Sequence, residues 1–247
     1  MAFCRAALRQ PAAAAAAALL VACLASLGDC LDIADWDEEQ AIVNIVRHGE
    51  KSPEYGSGLT PEGQRRALYL ARCSASIETS RAMPIGRPTV VLSSRVIPGR
   101  STRPRDTARP VAAVLGLPLD LECGQTDAEC FAQKVQRLPP NGTLFAAWQH
   151  QDIPALIGAI EVETPPLGGV NFVAFRRWPD TCQSWEPPYI QTCTCYDLIW
   201  QVRLRRKRGS STWRAASVEA LHQGFTGEAG SPCARDLAPE ASPILFA

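Results

Sequence analysis

The sequence predicts an α/β protein built on a three-layer, mostly parallel central sheet flanked by helices. Two observations support this fold class. Short, apolar, β-branched runs alternate along the chain with segments of helical periodicity. Several of the helical segments also begin or end with residues that cap helices. Because strands that alternate with helices pair in parallel and need cover on both faces, two helical layers are expected around one sheet.

Five segments have the composition of strands. Ala41–Val46 is the clearest of them, because it is short, apolar and rich in β-branched residues. The others, in chain order, are Thr89–Ser93, Pro118–Leu121, Thr143–Trp148 and Tyr196–Leu204.

Predicted helices occupy most of the intervals between these strands. Thr60 is a natural N-cap and Pro61 suits the first turn, so a helix should run from there to about Cys73. Gly116 is expected to close the second helix in the left-handed conformation. The remaining helices, including the one that Gly116 closes, are predicted at Arg105–Leu115, Ala128–Val135, Ile153–Ile160 and Ser217–His222.

Residues 1–28 are typical of a signal peptide. Two arginines precede an apolar run from Ala12 to Ala25, and no acidic residue occurs before Asp29. An organelle transit peptide is the alternative, which the lack of acids fits but the scarcity of serine and the unbroken apolar run oppose. We expect the secretory pathway or the extracellular space, with residues 29–247 as a single domain and no membrane span after signal cleavage.

The cysteine content agrees with an oxidising compartment. The chain has 10 cysteines, and signal cleavage would remove two of them, Cys4 and Cys23, leaving eight. An even number in a secreted chain indicates disulfides, whose pairing the sequence does not give. Zinc is the alternative for Cys193 and Cys195, but no second pair of close ligands accompanies them, so we expect no metal. Asn141, in an Asn-Gly-Thr run, would be a glycosylation acceptor on the same route.

Two segments depart from the alternation of strands and helices. Residues 162–194 combine several prolines with cysteines, which indicates a long stapled insertion rather than a second domain. Five cations between Arg203 and Arg208 follow the last strand, and we interpret them as a solvated turn rather than a nucleic-acid site. Lys+Arg and Asp+Glu are balanced at 25 each, so the overall charge favours neither nucleic acid nor an anionic membrane as a partner.

Basic residues follow three of the predicted strands. Arg47 and His48 leave the first strand, Arg103 follows the second and His150 follows the fourth. The carboxyl ends of parallel strands meet at one edge of a sheet, where open α/β proteins bind ligands. Arginine offers a planar fork that matches phosphate oxygens, and neutral histidine offers a nucleophilic nitrogen. These four side chains predict a pocket for a phosphoryl group, with Gly49 expected to allow a sharp turn and close approach of a ligand.

Three motifs occur in order at these strand ends. Arg-His-Gly-Glu-Lys from Arg47 is followed by Gly-Leu-Thr-Pro-Glu-Gly-x-x-Arg-Ala, the next motif is Arg-Pro-Arg-Asp-Thr-Ala from Arg103, and the third is Trp-Gln-His-x-x-Ile-Pro from Trp148. Together they resemble the histidine phosphatase superfamily, whose fold is phosphoglycerate mutase-like. The likeness is close over about residues 40–160 and looser over 195–225.

The resemblance implies a role for each of the four basic residues. His48 would be the nucleophile, taking the phosphoryl group on one ring nitrogen while the other binds a backbone carbonyl. Arg47 and Arg103 would bind the non-bridging oxygens, and His150 would hydrogen-bond the same group and offset its charge in the transition state. Water would then hydrolyse the phosphohistidine, and no cofactor is implied.

The sequence does not identify the proton donor to the leaving group. Some branches of the family have an aspartate directly after the second histidine, where this chain has Gln151. Asp152 is one candidate, although it is also a natural N-cap. The other candidates lie after the second arginine motif and are Glu122, Asp127 and Glu129.

Four further basic residues have weaker claims to the pocket. Lys51 is a candidate for its edge. We interpret Arg95 as a loop cation, Arg105 as a helix-surface cation and His222 as an ordinary helix residue.

The sequence therefore predicts a phosphatase that hydrolyses a phosphorylated small molecule or a phosphoprotein. The alternative is a catalytically inactive member of the same fold that binds phosphate or a partner, which the unidentified proton donor and the long insertion favour. A phosphoglycerate-type mutase is less expected, because a secreted, disulfide-bonded mutase of central metabolism would be unusual.

Overall fold

The computed structural model describes residues 37–75, 87–160, 175–179, 195–228, 230 and 233. The chain divides into two compact units, Met1–Glu38 and Glu39–Ala247, and the elements below belong to the second unit apart from the first residue of the first strand. The expected signal peptide and most of the expected 162–194 insertion lie outside the described residues.

Six strands form a single sheet. They are β1 Glu38–Arg47, β2 Val90–Ser93, β3 Leu119–Asp120, β4 Thr143–Trp148, β5 Leu198–Lys207 and β6 Arg214–His222. Their order across the sheet is β3-β2-β4-β1-β5-β6. β4 pairs in parallel with β1 and with β2, β2 pairs in parallel with β3, and β5 and β6 are antiparallel. The predicted mostly parallel sheet is confirmed.

The described residues contain four α-helices, which begin and end close to the predicted positions. Thr60 caps the first of them as predicted, because its Oγ1 accepts the Gly63 N–H at 3.1 Å. Gly116 closes the second in the left-handed conformation, with a φ of 66°. The helices are α1 Pro61–Ala75, α2 Arg103–Leu115, α3 Ala128–Gln136 and α4 Ile153–Ala159.

The helices cover both faces of the sheet. Successive residues of a strand point to opposite faces, so each strand contributes to two separate apolar clusters. Val46, Val91 and Phe145 pack with α1 and α2 on one face. Ile45 and Leu144 pack with α3 and α4 on the other. The predicted three-layer architecture is confirmed, and the carboxyl ends of β1, β2 and β4 meet at one edge.

The last predicted helix is wrong. Ser217–His222 belongs to β6, which pairs with β5 from Leu198 opposite His222 to Arg205 opposite Arg214. Alanine, glutamate and leucine give this segment helical propensity, but pairing with a neighbouring buried strand outweighs propensity.

The basic cluster is also not a turn, because β5 continues through it to Lys207. Arg206 forms an ion pair with Glu39 at 2.6 Å, and its guanidinium lies 4.1 Å from the ring centre of Trp213. The turn itself begins only at Arg208.

Disulfides link Cys73 to Cys233 and Cys123 to Cys130. Cys195 is also disulfide-bonded, which removes it as the zinc ligand that the sequence left open. These bonds favour an oxidising compartment.

In the described part of the chain, no helix is both long and apolar enough to cross a bilayer.

Candidate active site

The turn after β1 is fixed by the close approach of two backbones. A Cβ atom on Gly49 would lie 2.8 Å from the carbonyl oxygen of Gly63, in the first turn of α1. A Cβ atom on Gly63 would lie 2.8 Å from the backbone nitrogen and oxygen of Glu50. Whereas the sequence assigned Gly49 to a sharp turn and to ligand approach, the structure gives a different reason, which is that α1 packs directly against this backbone.

A threonine hydroxyl ties the same turn to α2. The Gly49 N–H donates to Oγ1 of Thr107 at 2.9 Å. That hydroxyl in turn donates to the carbonyl of Arg103 at 2.9 Å. The exit of β1 and the first turn of α2 are therefore held in one fixed arrangement by Thr107, the threonine of the second sequence motif.

Arg47 lies fully buried at the end of β1. Its Nη2 donates to the phenolic oxygen of Tyr196 at 3.2 Å, and its guanidinium carbon lies 4.0 Å from the centre of that ring. Its Nε and Nη1 are buried and have no hydrogen-bond acceptor among the described residues. Burial lowers the pKa of Arg47 and the nearby Arg103 lowers it further, whereas Tyr196 and Glu50 act in the opposite direction.

Arg66 shows what a neutralised buried arginine looks like in the same fold. Its Nε and Nη2 donate to one carboxylate oxygen of Glu50, at 2.9 and 2.7 Å. Its Nη1 donates to Asp197 at 3.0 Å and to Gln223 at 2.9 Å. Burial alone would lower the pKa of Arg66, but the two carboxylates outweigh burial and raise it. No carboxylate of the described residues hydrogen-bonds Arg47 in this way, so an anion from outside the protein would stabilise it.

His48 is held by the backbone on two sides. Its backbone N–H donates to the carbonyl of Trp148 at 2.9 Å, which extends the β1–β4 pairing. Its Nδ1 lies 2.7 Å from the Gly49 carbonyl, so Nδ1 carries the hydrogen and Nε2 keeps its lone pair. Burial, followed by the charges of Arg47, Arg103 and Lys51, lowers the pKa of His48 to about 3 against the opposing effect of the Gly49 carbonyl. The imidazole is therefore neutral at physiological pH.

Arg103 is the first residue of α2, two positions before the predicted start of that helix. Its Nε donates to the carbonyl of Gly58 at 2.8 Å, and Nη2 donates to the carbonyl of Gly56. Nη1 lies 3.3 Å from the hydroxyl oxygen of Ser101. All of these acceptors are neutral, and the charge of Arg103 lowers the pKa values of Arg47 and His48.

Lys51 lies at the exposed edge of this group. Burial, followed by the charges of Arg47 and Arg103, lowers its pKa. Because Lys51 also lowers the pKa of His48, three cations act on one neutral imidazole. This arrangement favours a ligand that carries more than one negative charge.

His150 follows β4 at the same edge of the sheet. The register pairs Arg47 with Trp148, so His48 and His150 leave neighbouring parallel strands just beyond the last pair. Two side-chain amides hold the chain beside His150, because Gln125 and Gln149 exchange hydrogen bonds at 2.7 and 2.9 Å.

The candidate proton donors fall into two groups. Asp152 occupies the N-cap position of α4 without making a cap hydrogen bond, and its Oδ2 accepts from Gln125 at 2.9 Å. The other three are engaged by partners of their own. Asp127 caps α3, Glu122 forms an ion pair with Lys134 at 2.5 Å, and Glu129 accepts from a glutamine one turn further along α3.

The remaining basic candidates lie elsewhere, as the sequence indicated for two of them. Arg95 is exposed and donates to the carbonyl of Glu122. Arg105 pairs with its neighbour Asp106 at 2.7 Å. His222, expected in a helix, lies on β6 with its Nδ1 3.2 Å from Asp197.

Sequence reasoning missed Tyr196 as a residue of the site. It placed this residue only at the start of a strand, where a tyrosine usually packs in the core. Its role depends on β5 lying beside β1, and the motifs did not predict that adjacency.

The described elements thus form an α/β protein with a cationic pocket around a buried, neutral histidine. No protein-family model and no curated protein matches the chain. Among solved structures the chain is similar to mycobacterial hydrolase 1, at 13% identity and a TM-score of 0.43 over 74% of this chain and 97% of that one.

It is also similar to a mycobacterial glucosyl-3-phosphoglycerate phosphatase in its native form, at 13% identity and a TM-score of 0.37 over 72% of this chain and 97% of that one. For the same phosphatase complexed with VO3, the identity is 14% and the TM-score is 0.40, over 72% of this chain and 96% of that one. Likeness at this level leaves the function to be argued from the residues of the chain.

Proposed function

We propose that this protein is a phosphatase that hydrolyses a phosphomonoester through a phosphohistidine on His48. One observation carries the proposal: a neutral, buried imidazole lies beside Arg47, a buried guanidinium with two donors that lack acceptors among the described residues. A phosphoryl group would supply an acceptor to one side of this fork, and its negative charge would offset the positive charges of Arg103 and Lys51. The sequence motifs that resemble the histidine phosphatase superfamily are part of this proposal.

The reaction has two displacements at phosphorus. Nε2 of His48 attacks, the bond from phosphorus to the leaving oxygen breaks, and that oxygen takes a proton from an acid or from water. Water then attacks the phosphohistidine, the P–N bond breaks and inorganic phosphate leaves. Arg47 and Arg103 bind the equatorial oxygens, where charge accumulates in both transition states, and His150 donates to the same group.

Secretory targeting is part of the same proposal. The predicted signal peptide and the disulfides support it, because structural disulfides persist in oxidising compartments. The substrate would then be a phosphorylated small molecule or a phosphoprotein on that route.

Release of inorganic phosphate from 4-nitrophenyl phosphate tests the proposal. The purified, oxidised protein should turn over this substrate, and His48→Ala should lower kcat/KM by at least about a thousandfold because the nucleophile is gone. Arg103→Lys should lower kcat/KM about tenfold or more, because lysine lacks the planar fork. Arg105→Lys is the matched control from the same helical turn and should stay within about twofold.

The acid limb of the rate profile adds a second test. His48 is neutral down to about pH 3, so its protonation should not reduce kcat/KM between pH 7 and pH 4.

A wild type that folds and binds phosphate without turnover would refute the proposed phosphatase activity. That result would support the inactive binding member, which the lack of an identified proton donor also favours.

A further inference from the structure

Tyr196 contacts Arg47 in two ways at once. The phenolic oxygen accepts from Nη2 at 3.2 Å, and the ring lies under the guanidinium carbon at 4.0 Å. A hydrogen bond fixes one nitrogen and a cation–π contact fixes the plane, so the two together define the orientation of the whole fork.

The same tyrosine is part of the pocket wall. Its side chain is buried, and its ring centre lies 6.2 Å from that of His48. Its backbone is fixed as well, because the Tyr196 carbonyl accepts from Gln223 at 2.8 Å. Tyr196 is thus a rigid support two residues before β5, the strand next to β1.

The contact directs the remaining donors of Arg47. With Nη2 engaged by the phenol, Nε and Nη1 are the nitrogens without acceptors in the described part of the chain. The Nε–H shares its side of the guanidinium with Nη2, as in the Arg66–Glu50 pair, whereas Nη1 lies on the other side, so the phenol leaves acceptor-free donors on both sides of the fork.

We propose that Tyr196 is a positioning residue that fixes the plane and the rotation of the Arg47 guanidinium for binding of the phosphoryl group. This inference rests on the proposed function, and it concerns phosphate binding as well as turnover. Without the phenol, Nη2 competes for the anion and the fork can rotate. Without the ring, the guanidinium loses the surface that sets its plane.

A double-mutant cycle with Arg47 separates this role from a merely structural one. Tyr196→Phe keeps the ring and should lower kcat/KM about tenfold, the effect of losing one hydrogen bond to a charged group. Tyr196→Leu removes both contacts and should lower kcat/KM about a hundredfold. In an Arg47→Lys background, Tyr196→Phe should change kcat/KM by less than about twofold, because the fork that it orients is gone.

The dissociation constant of inorganic phosphate, measured by calorimetry, is the second readout and needs no turnover. It should rise for Tyr196→Phe by about the same factor as kcat/KM falls, with the melting temperature almost unchanged. Tyr69→Phe is the matched control, because its phenol donates to the Gln223 carbonyl at 2.6 Å within the core. It should lower the melting temperature and leave phosphate affinity within about twofold.

The outcomes distinguish this inference from the proposed function. The role of Tyr196 alone would be overturned if Tyr196→Phe left both turnover and phosphate binding at wild-type values. It would also be overturned if the losses from Tyr196→Phe and Arg47→Lys were fully additive. If phosphate affinity changes across the four proteins as the double-mutant cycle predicts but none of them turns over substrate, the role of Tyr196 would be supported and the proposed phosphatase activity refuted. A wild type that neither binds phosphate nor turns over substrate would overturn both.

Discussion

Arg47 and Arg66 are both buried, yet their guanidinium groups have different hydrogen-bond partners. Arg66 meets two carboxylates and an amide, so its charge is satisfied within the fold. Arg47 meets a phenol and leaves two nitrogens without acceptors among the described residues. A buried charge whose hydrogen-bond donors lack acceptors destabilises the folded state, so this arrangement favours a ligand that supplies them.

His48 makes the free energy of unfolding depend on pH. Its pKa is lowered in the folded state to about 3, against about 6.5 in an unfolded chain, so acid protonates the unfolded state first. The folded state should therefore lose stability as the pH falls below about 6.5, until the loss levels off near pH 3. Between pH 7 and pH 5 this contribution is about 2 kcal/mol.

His48→Gln removes this group and measures its contribution. The free energy of unfolding, measured with urea, should fall between pH 7 and pH 5 in both proteins. The fall should be about 2 kcal/mol smaller in the variant than in the wild type. The buffer must be free of phosphate, because a bound anion would favour protonated His48. Equal losses in the two proteins would contradict a neutral, buried His48.

The contact between Gly49 and Gly63 belongs to the scale of elements, because it joins the exit of β1 to the start of α1. Gly49→Ala or Gly63→Ala places a Cβ atom 2.8 Å from backbone atoms, which have no rotamer with which to move away. Either change should reduce the free energy of unfolding by about 1 to 3 kcal/mol and displace His48.

Gly158→Ala is the matched control for these substitutions. It lies exposed in α4, and a Cβ atom there would have no neighbour within 4 Å. Alanine should stabilise this helix by about 0.5 to 1 kcal/mol. If the three alanine variants unfold at the same urea concentration, the backbone contact does not position the turn.

The disulfides act at the scale of the whole molecule. Cys73 and Cys233 are 160 residues apart, whereas Cys123 and Cys130 are 7 apart. Loop-closure entropy gives about 5 kcal/mol for the long link and about 2.5 kcal/mol for the short one. Replacing Cys73 and Cys233 by alanine should therefore lower the free energy of unfolding more than replacing the other pair, as measured by urea unfolding. The reverse order would show that chain entropy is not the main contribution.

Local sequence signals predicted most of this fold and only part of the pocket. Caps such as Thr60 and Gly116 and the run Ala41–Val46 are encoded within a few residues, so the sequence located α1, α2 and β1. β6 was missed because its partner decides its conformation. The support of Arg47 by Tyr196 was missed for a related reason, since it joins residues 149 positions apart.

The central position of β1 has a consequence for how the protein acquires activity. β1 lies between β4 and β5, whose residues come about 100 and 150 positions later in the chain. During synthesis His48 emerges early, but the Trp148 carbonyl that fixes its backbone and the Tyr196 ring that supports Arg47 emerge much later. Such non-local pairings form slowly, so the pocket is among the last features of the molecule to assemble. A ribosome-bound or truncated chain that ends before β5 would therefore contain His48 without a completed site around it.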